Sequence, residues 1–149
     1  VVMSTYEASP FCEKYVLEAL CVMDRTDLAV QRMMDRYSGM LEDEYDTLWE
    51  KFSEPIGTFN HGWSAAPMYI LSKYVAGIQP TSGGYETYCI APSTVLERFS
   101  CAAYTPKGVI TVEKDGDSLT ITAVSGGTLV LPGGEKIPLE EGTHRYSIA

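Results

Sequence analysis

The first third of the chain carries apolar residues at helical spacing. Ser9-Pro10 is a good helix start, because a serine side chain caps free amides and proline suits the first turn. Phe11, Tyr15 and Leu20 follow on one face, which we expect to be buried. The pattern predicts a helix that ends near Asp24.

A second helical pattern follows after a short break. It starts around Thr26-Asp27 and ends at Gly39, a residue suited to a left-handed C-terminal cap. Its apolar positions are Leu28, Val30, Met33, Met34 and Tyr37. The two segments predict a helical hairpin, and we expect both methionines to fill its core.

Residues 62–77 predict a third helix. Pro67 falls early in this segment, where a helix tolerates proline, and Gly77 followed by Pro80 ends it. Trp63 stands at the helix start. We expect it to anchor the core, with a platform for a sugar ring as the alternative.

After a turn-rich linker at residues 79–85, apolar and polar residues alternate. Short β-branched or aromatic segments are separated by glycine turns and predict strands over residues 85–91, 95–104, 108–114, 118–124, 128–131 and 144–148. Such regular short strands predict an antiparallel β-sandwich. We expect Tyr85, Tyr88 and Tyr104 to pack in a core or between domains, with sugar binding as the alternative.

Composition limits the classes of partner. Of the 149 residues 45% are hydrophobic, enough for a core, and the formal net charge is -9. Nucleic acids and anionic membranes recruit Lys and Arg, so we predict neither as a partner. The sequence contains no apolar run long enough to span a membrane. Because it opens with Val1-Val2 directly before an amphipathic pattern, we expect a piece of a longer protein, and its compartment stays open.

The cysteines do not form a metal motif. Cys12, Cys21, Cys89 and Cys101 contain no CxxC pair, and the sequence has two histidines. We therefore predict no metal site and no cofactor. The cysteines are expected to be buried thiols, and whether Cys89 pairs with Cys101 stays open.

Candidate chemistry is concentrated in residues 47–63. Glu50 follows Trp49, and His61 follows Asn60 in an aromatic segment bounded by glycines. Aromatic rings stack on sugar faces, polar side chains bind hydroxyls, and carboxylates move protons in glycosidases. We predict a sugar-cleaving site with Glu50 as a base and Trp49, Asn60 and His61 as substrate ligands. By residue type alone, an ordinary helix-end acid is an equally good interpretation of Glu50. A lone histidine flanked by aromatic residues, such as His61, is more often a hydrogen-bonded core residue than a catalytic one.

An acidic cluster precedes this segment. It consists of Glu42, Asp43, Glu44 and Asp46. A run of like charges is usually an exposed, solvated face, so we expect no catalytic role for these four residues.

The sequence of this segment and of the residues after it resembles one enzyme family. The chain contains TLWE at 47–50 and FNHGWSAAPMYILSKYVAGIQPTSGGYETYCIAPS at 59–93, followed by a run of short strands. This order of motifs resembles the C-terminal end of bacterial glycoside hydrolase family 78 α-L-rhamnosidases. The resemblance covers nearly the whole chain. It implies that Glu50 is the general base and that His61 contacts the rhamnose. The eleven-residue step from Glu50 to His61 is shorter than in the family.

The resemblance also implies a fold and an activity. The fold is α+β, with residues 1–79 as C-terminal helices of an (α/α)6 six-hairpin barrel and residues 85–149 as an antiparallel β-sandwich. The activity is inverting hydrolysis of terminal α-L-rhamnosyl residues. Nothing in the sequence resembles the family's general acid, so we expect the chain to be inactive without the rest of its parent.

The predicted partners are a rhamnose-containing glycan or glycoside and the remainder of the parent chain. The apolar face left by missing barrel helices predicts a homodimer, with a monomer as the alternative. Two other functions stay open. One is a non-catalytic carbohydrate-binding or scaffolding module, and the other is a different glycosidase or glycoside phosphorylase that shares the helical barrel.

Overall fold

The structure is a computed structural model that describes residues 3–42, 44–45, 47–53 and 57–148. It divides into two compact units, the helical unit Val1–Ile70 and the β unit Leu71–Ala149. The α+β class predicted from the sequence is confirmed. None of the described helices has the length and apolarity needed to cross a membrane.

The helical unit begins with a hairpin. Helix α1 spans Pro10–Val22, and the Ser9 side chain accepts a hydrogen bond from the Cys12 N–H at its N-terminus. Asp24 has a positive φ of 60° and reverses the chain into helix α2, Thr26–Leu41. Both predicted helices are confirmed, but α2 continues past the expected stop at Gly39.

The buried face of α1 differs from the predicted one. Phe11 and Tyr15 are exposed, whereas Glu13, Leu17 and Leu20 are buried. The reason is a charged partner on the neighbouring helix, which lets a carboxylate occupy the helix interface. Periodicity of apolar residues therefore identified the helix and the buried Leu20, but it was wrong for Phe11 and Tyr15.

That charged contact is a buried triad. The Glu13 carboxylate accepts hydrogen bonds from the Arg32 and Arg36 guanidinium groups of α2. Arg32 also donates to the Thr5 carbonyl at 3.1 Å, and Arg36 donates to the Ala8 carbonyl at 2.9 Å. A buried charge needs such pairing, because an unpaired one is strongly destabilising. The triad thus joins α1, α2 and the segment that precedes them.

The two methionines of α2 have different environments. Met33 is buried in the core of the unit, as predicted, whereas Met34 is exposed, so the expectation that it fills the core was wrong. Gly39 lies inside the helix, and a Cβ there would be 3.9 Å from the Trp49 ring. A methyl group at this position would therefore make an ordinary contact with the indole.

The predicted third helix is present in pieces. A 3-10 turn spans Gly62–Ser64, helix α3 spans Ala66–Ile70, and a π-helical turn spans Leu71–Val75 at the start of the β unit. Proline at the second position of α3 is compatible with a new helix start, because its missing N–H is not needed in the first turn. Trp63 is 45% exposed, so the expectation that it anchors the core was wrong.

In the β unit, the described residues form eight strands in two four-stranded sheets. They are β1 Ile78–Pro80, β2 Tyr88–Ile90, β3 Arg98–Thr105, β4 Gly108–Asp115, β5 Ser118–Ala123, β6 Gly127–Val130, β7 Lys136–Leu139 and β8 Gly142–Ser147. One sheet has the order β1-β2-β6-β7, and the other has the order β3-β4-β5-β8. Buried residues of both sheets form one core cluster, an arrangement consistent with a β-sandwich.

Two features of the sheets differ from the sequence prediction. β2 and β6 are parallel, since the chain crosses to the other sheet for β3, β4 and β5 before it returns. β1 and β7 were not predicted. β7 contains Pro138, and it lies at a sheet edge, where the missing N–H of proline is tolerated.

All four cysteines are free thiols. Cys12 is exposed and Cys21 is buried, so the prediction of burial holds for Cys21 and is wrong for Cys12. Cys89 lies on β2 and Cys101 on β3, in different sheets, and both are half-buried. The pairing of Cys89 with Cys101 that the sequence left open is absent.

The three tyrosines of the β unit have separate roles. Tyr88 is fully buried, and its hydroxyl group donates to the Val124 carbonyl at 2.7 Å and accepts from the Val124 N–H at 3.0 Å. Tyr85 is half-buried against the same core. Tyr104 is 83% exposed, so the packing expected of it is not observed.

Candidate active site

Two short segments place Glu50 beside His61. The Glu50 N–H donates to the Thr58 carbonyl at 2.9 Å, and the His61 N–H donates to the Leu48 carbonyl at 2.8 Å. These bonds run in opposite directions between the segments, as in an antiparallel pair. The two candidate residues that the sequence singled out are therefore held together by backbone hydrogen bonds.

The Glu50 carboxylate is fixed by Thr58 and lies close to the imidazole. Its Oε2 atom accepts from the Thr58 N–H at 3.0 Å and lies 3.4 Å from the Thr58 hydroxyl. The same Oε2 is 3.9 Å from Nδ1 of His61, with side-chain exposures of 25% for Glu50 and 31% for His61. Both groups are thus partly shielded yet open to water or a ligand.

Thr58 completes the contact between the two. Its Oγ1 atom is 2.7 Å from Nδ1 of His61, so a single hydroxyl group touches both the carboxylate and the imidazole. Sequence reasoning missed Thr58. The available signal was a hydroxyl residue directly after a glycine and three positions before the histidine.

Gly57 allows the segments to approach this closely. It has a positive φ of 112°, and a Cβ at this position would lie 2.8 Å from Oε2 of Glu50. A glycine lets the backbone come close to another group, because it has no side chain. In the structure, the group that approaches Gly57 is the candidate base itself.

The imidazole rests on an aromatic side chain. The rings of His61 and Trp63 have centroids 4.1 Å apart at an interplanar angle of 43°. Trp63 in turn contacts Phe11 of α1 at 5.5 Å. The exposed indole therefore helps to fix the orientation of His61.

The other two predicted ligands lie differently. Asn60 is exposed and lines an open pocket of about 530 Å³, together with Tyr45, Thr47, Thr58 and Phe59.

Trp49 packs against other residues of the 47–64 segment and is not among the described lining residues of that pocket. Its ring meets Phe59 edge-on at 5.8 Å, and its carbonyl accepts a hydrogen bond from the Ser64 hydroxyl. The indole N–H is buried and has no hydrogen-bond partner within the described residues. The structure thus brings Glu50 and His61 together through side-chain contacts, whereas Trp49 has mainly packing contacts.

The acidic cluster is exposed where the structure describes it. Glu42 and Glu44 lie on the surface, as expected, and Asp43 and Asp46 fall outside the described residues. Among the residues that the structure describes, no group of three or more His, Cys, Asp or Glu side chains could hold a metal ion.

Comparison with known proteins gives a match in structure. No protein-family model matches the chain, and no curated protein matches its sequence. The fold is similar to that of the GH78 family rhamnosidase of Bacillus sp. GL1, with a TM-score of 0.65 at 24% identity. It is also similar to the α-L-rhamnosidase from Dictyoglumus thermophilum, with a TM-score of 0.68 at 17% identity.

The two matches cover 94% and 92% of this chain but only 17% and 20% of the two enzymes. The chain therefore spans a fifth or less of the length of the rhamnosidases that it matches. At the level of the fold, the resemblance to family 78 α-L-rhamnosidases that the sequence predicts is confirmed.

Proposed function

We propose that this chain is the C-terminal part of an inverting α-L-rhamnosidase and that Glu50 is its general base. The observation that carries the proposal is the contact of Glu50 with His61 through Thr58, in a chain whose fold is similar to that of rhamnosidases. The substrate is a glycan or glycoside with a terminal α-L-rhamnosyl residue.

The carboxylate of Glu50 has the properties of a water-activating base. It is a quarter exposed, and the Thr58 N–H fixes the orientation of its Oε2 atom. In an inverting enzyme the base removes a proton from a water molecule, which attacks the anomeric carbon as the bond to the leaving oxygen breaks on the opposite face. A general acid protonates that oxygen. The two carboxyl groups stand roughly 6.5 to 9.5 Å apart, which leaves room for the water.

We place the general acid in the longer parent protein. The helices α1, α2 and α3 are then the last part of a six-hairpin barrel, and the two sheets are the closing β-sandwich. This assignment rests on the fraction of each rhamnosidase that the chain covers. We therefore expect that the 149-residue chain alone does not hydrolyse an aryl α-L-rhamnoside. Measurable turnover by the purified chain would contradict the proposal that the general base and the general acid lie in different parts of the parent protein.

His61 and Asn60 are the proposed sugar ligands. His61 is held on the Trp63 ring and by its own backbone N–H, so its imidazole can present a nitrogen atom to a sugar hydroxyl. Asn60 lies in the open pocket beside Thr58. Trp49 was predicted to contact substrate as well, and its position leaves it as a support for the loop that carries Glu50.

Hydrolysis by the longer protein tests the proposal. We expect release of rhamnose with inversion at the anomeric carbon. NMR identifies the anomer that forms first and so measures the inversion. Glu50→Gln should lower kcat by about 10² to 10⁴, since that is the usual contribution of a general base. Glu42→Gln removes an exposed acid of the same charge and should have no effect. Near-normal turnover by Glu50→Gln would overturn the assignment of the base.

One observation supports a second candidate, a non-catalytic carbohydrate-binding module. Tyr104 on β3 is 83% exposed, and exposed aromatic rings can stack on sugars. Sugar titration with the chain separates the two functions. Saturable binding that is lost in Tyr104→Ala but kept in His61→Ala favours the module, whereas the reverse pattern favours the Glu50–His61 site.

A further inference from the structure

The Thr58 hydroxyl group lies within hydrogen-bond distance of one ring nitrogen of His61, Nδ1. We propose that Thr58 is a positioning residue that holds the proton of neutral His61 on Nδ1, so that Nε2 accepts a hydrogen bond from a substrate hydroxyl. The proton assignment concerns the chain alone. The contact with a substrate hydroxyl rests on the proposed function.

The number of protons and lone pairs on the Thr58 hydroxyl group decides the direction of its hydrogen bonds with Glu50 and His61. A threonine hydroxyl has one proton and two lone pairs, and an ionised carboxylate can only accept. Oγ1 of Thr58 is 3.4 Å from Oε2 of Glu50 and 2.7 Å from Nδ1 of His61. Both contacts are attractive only when the hydroxyl donates to the carboxylate and accepts from an N–H group at Nδ1.

The reverse arrangement is electrostatically unfavourable. If the hydroxyl donated to Nδ1, its lone pairs would face Oε2 of Glu50 without an intervening proton. The lone pair of Nδ1 would also lie 3.9 Å from the same carboxylate oxygen. A nearby negative charge favours a proton on the atom that faces it.

Neither partner can easily turn away from this contact. Oε2 of Glu50 is held by the Thr58 backbone N–H at 3.0 Å, and it lies next to the backbone of Gly57, where an added Cβ would be 2.8 Å away. The imidazole ring lies against Trp63 at 4.1 Å, and its backbone is tied to Leu48. The geometry that selects Nδ1–H is therefore maintained from both sides.

This proton placement defines what the site can bind. Nε2 of neutral His61 then carries a lone pair, and the Glu50 carboxylate also accepts hydrogen bonds. The pair is suited to ligands that present donors, namely the hydroxyl groups of a sugar and a water molecule. A ligand that offers a carbonyl or ether oxygen to Nε2 would find no proton there.

The second histidine supplies an internal reference. Nε2 of His144 is 2.8 Å from the Glu140 carbonyl oxygen, which can only accept. His144 therefore carries its proton on Nε2, the opposite of the assignment for His61. Because the sequence contains two histidines, one spectrum reports both.

The test is a two-bond nitrogen–proton correlation spectrum of the 15N-labelled 149-residue chain over a pH series. The tautomers are read where the imidazoles are neutral, and His144→Gln assigns the signals by removing one set. We expect His61 to be protonated on Nδ1 and His144 on Nε2. His61 protonated on Nε2 in the wild type would overturn the proposal.

Two variants test the part played by Thr58. Thr58→Val keeps the side-chain shape and the backbone N–H but removes the acceptor for Nδ1–H, so the Nδ1–H fraction of His61 should fall. Thr58→Ser keeps the hydroxyl and should match the wild type, and His144 should be unchanged in both variants. A His61 spectrum that is the same in Thr58→Val as in wild type would contradict the role of Thr58. If Thr58→Val does not fold, the wild-type and Thr58→Ser spectra still decide the proton position.

The contact with substrate has its own readout. In the longer protein with labelled histidine, saturation with methyl α-L-rhamnoside should shift the Nε2 signal of His61 and leave His144 unchanged. An unchanged Nε2 signal in the presence of bound sugar would overturn the hydroxyl contact. An Nδ1–H tautomer in a protein that does not hydrolyse rhamnosides would leave the proton assignment intact and contradict only the proposed rhamnosidase function.

Discussion

A side chain at Gly57 would collide with Glu50, because a Cβ there would lie 2.8 Å from Oε2 of the carboxylate. The backbone of Gly57 also has a φ of 112°, a value that residues other than glycine rarely adopt. The candidate base and this glycine therefore depend on each other for their positions. Gly62 is also next to the site, and apart from its chain neighbours no described residue has an atom within 4 Å of its corresponding Cβ position.

Gly57→Ala should displace the carboxylate and strain the backbone. The strain should lower the free energy of unfolding by about 1 to 3 kcal/mol. A displacement of the base by about 1 Å can reduce turnover about a hundredfold, so rhamnoside hydrolysis by the longer protein should fall strongly. Gly62→Ala is the control and should leave both quantities nearly unchanged. Equal effects of the two substitutions would show that the contact with Glu50 is unimportant.

Glu13→Gln should destabilise the helical unit. The substitution leaves the Arg32 and Arg36 guanidinium groups without their buried counter-charge, and loss of one partner of a buried pair costs about 3 to 5 kcal/mol. Chemical denaturation followed by circular dichroism measures the change. Asp27→Asn removes a surface partner of Arg25 and should have little effect. A Glu13→Gln variant as stable as wild type would contradict the structural role of the triad.

Tyr88→Phe should destabilise the β unit. The hydroxyl group bonds both the carbonyl and the N–H of Val124, and leaving buried polar groups unpaired costs about 1 to 3 kcal/mol. Tyr104→Phe removes an exposed hydroxyl group and should leave the free energy of unfolding unchanged. Denaturant unfolding of both variants measures the difference, and equal stability would show that the Val124 contacts contribute nothing.

Burial also raises the pKa of Tyr88 above its ordinary value. A raised folded-state pKa means that the full stabilisation is present below the unfolded-state pKa of about 10. As the pH rises through that value, the unfolded tyrosine loses its proton first and the free energy of unfolding falls. Tyr88→Phe should therefore show a smaller loss of stability at alkaline pH than wild type. The same slope in both proteins would contradict this assignment.

Exposed aromatic residues of α1 should promote self-association. Phe11 and Tyr15 contact each other and are both exposed, so a second copy of the chain could cover them. We expect sedimentation velocity at two concentrations to show a concentration-dependent species that Tyr15→Lys weakens. Tyr104→Lys changes an exposed tyrosine of the β unit and should not alter it. A monomer at both concentrations would contradict the proposed dimer.

The local sequence determined which secondary-structure elements form in much of this protein. Ser9-Pro10 indicated the start of α1, and the alternating residues after Gly108 indicated β4 and β5. These signals work because capping and side-chain alternation depend on residues close in sequence. Short elements gave weaker signals, so β1 and β7 were missed.

For the candidate site, the sequence supplied the residue types and the tertiary structure supplied their contacts. Glu50 and His61 were chosen from the TLWE and NH motifs, whereas Thr58, a hydroxyl residue directly after a glycine, was missed. Its importance comes from one oxygen atom within reach of both side chains, a relation between two segments paired by backbone hydrogen bonds.

The same distinction explains which face of α1 is buried. Apolar spacing favoured Phe11 and Tyr15 as core residues, whereas the structure buries Glu13 against Arg32 and Arg36. Whether a carboxylate can be buried depends on charges that another helix brings to it. The sequence by itself determined the helices, most of the strands and the candidate chemistry. Only the tertiary structure decided which faces are buried and which side chains meet, because both depend on contacts between residues far apart in the chain.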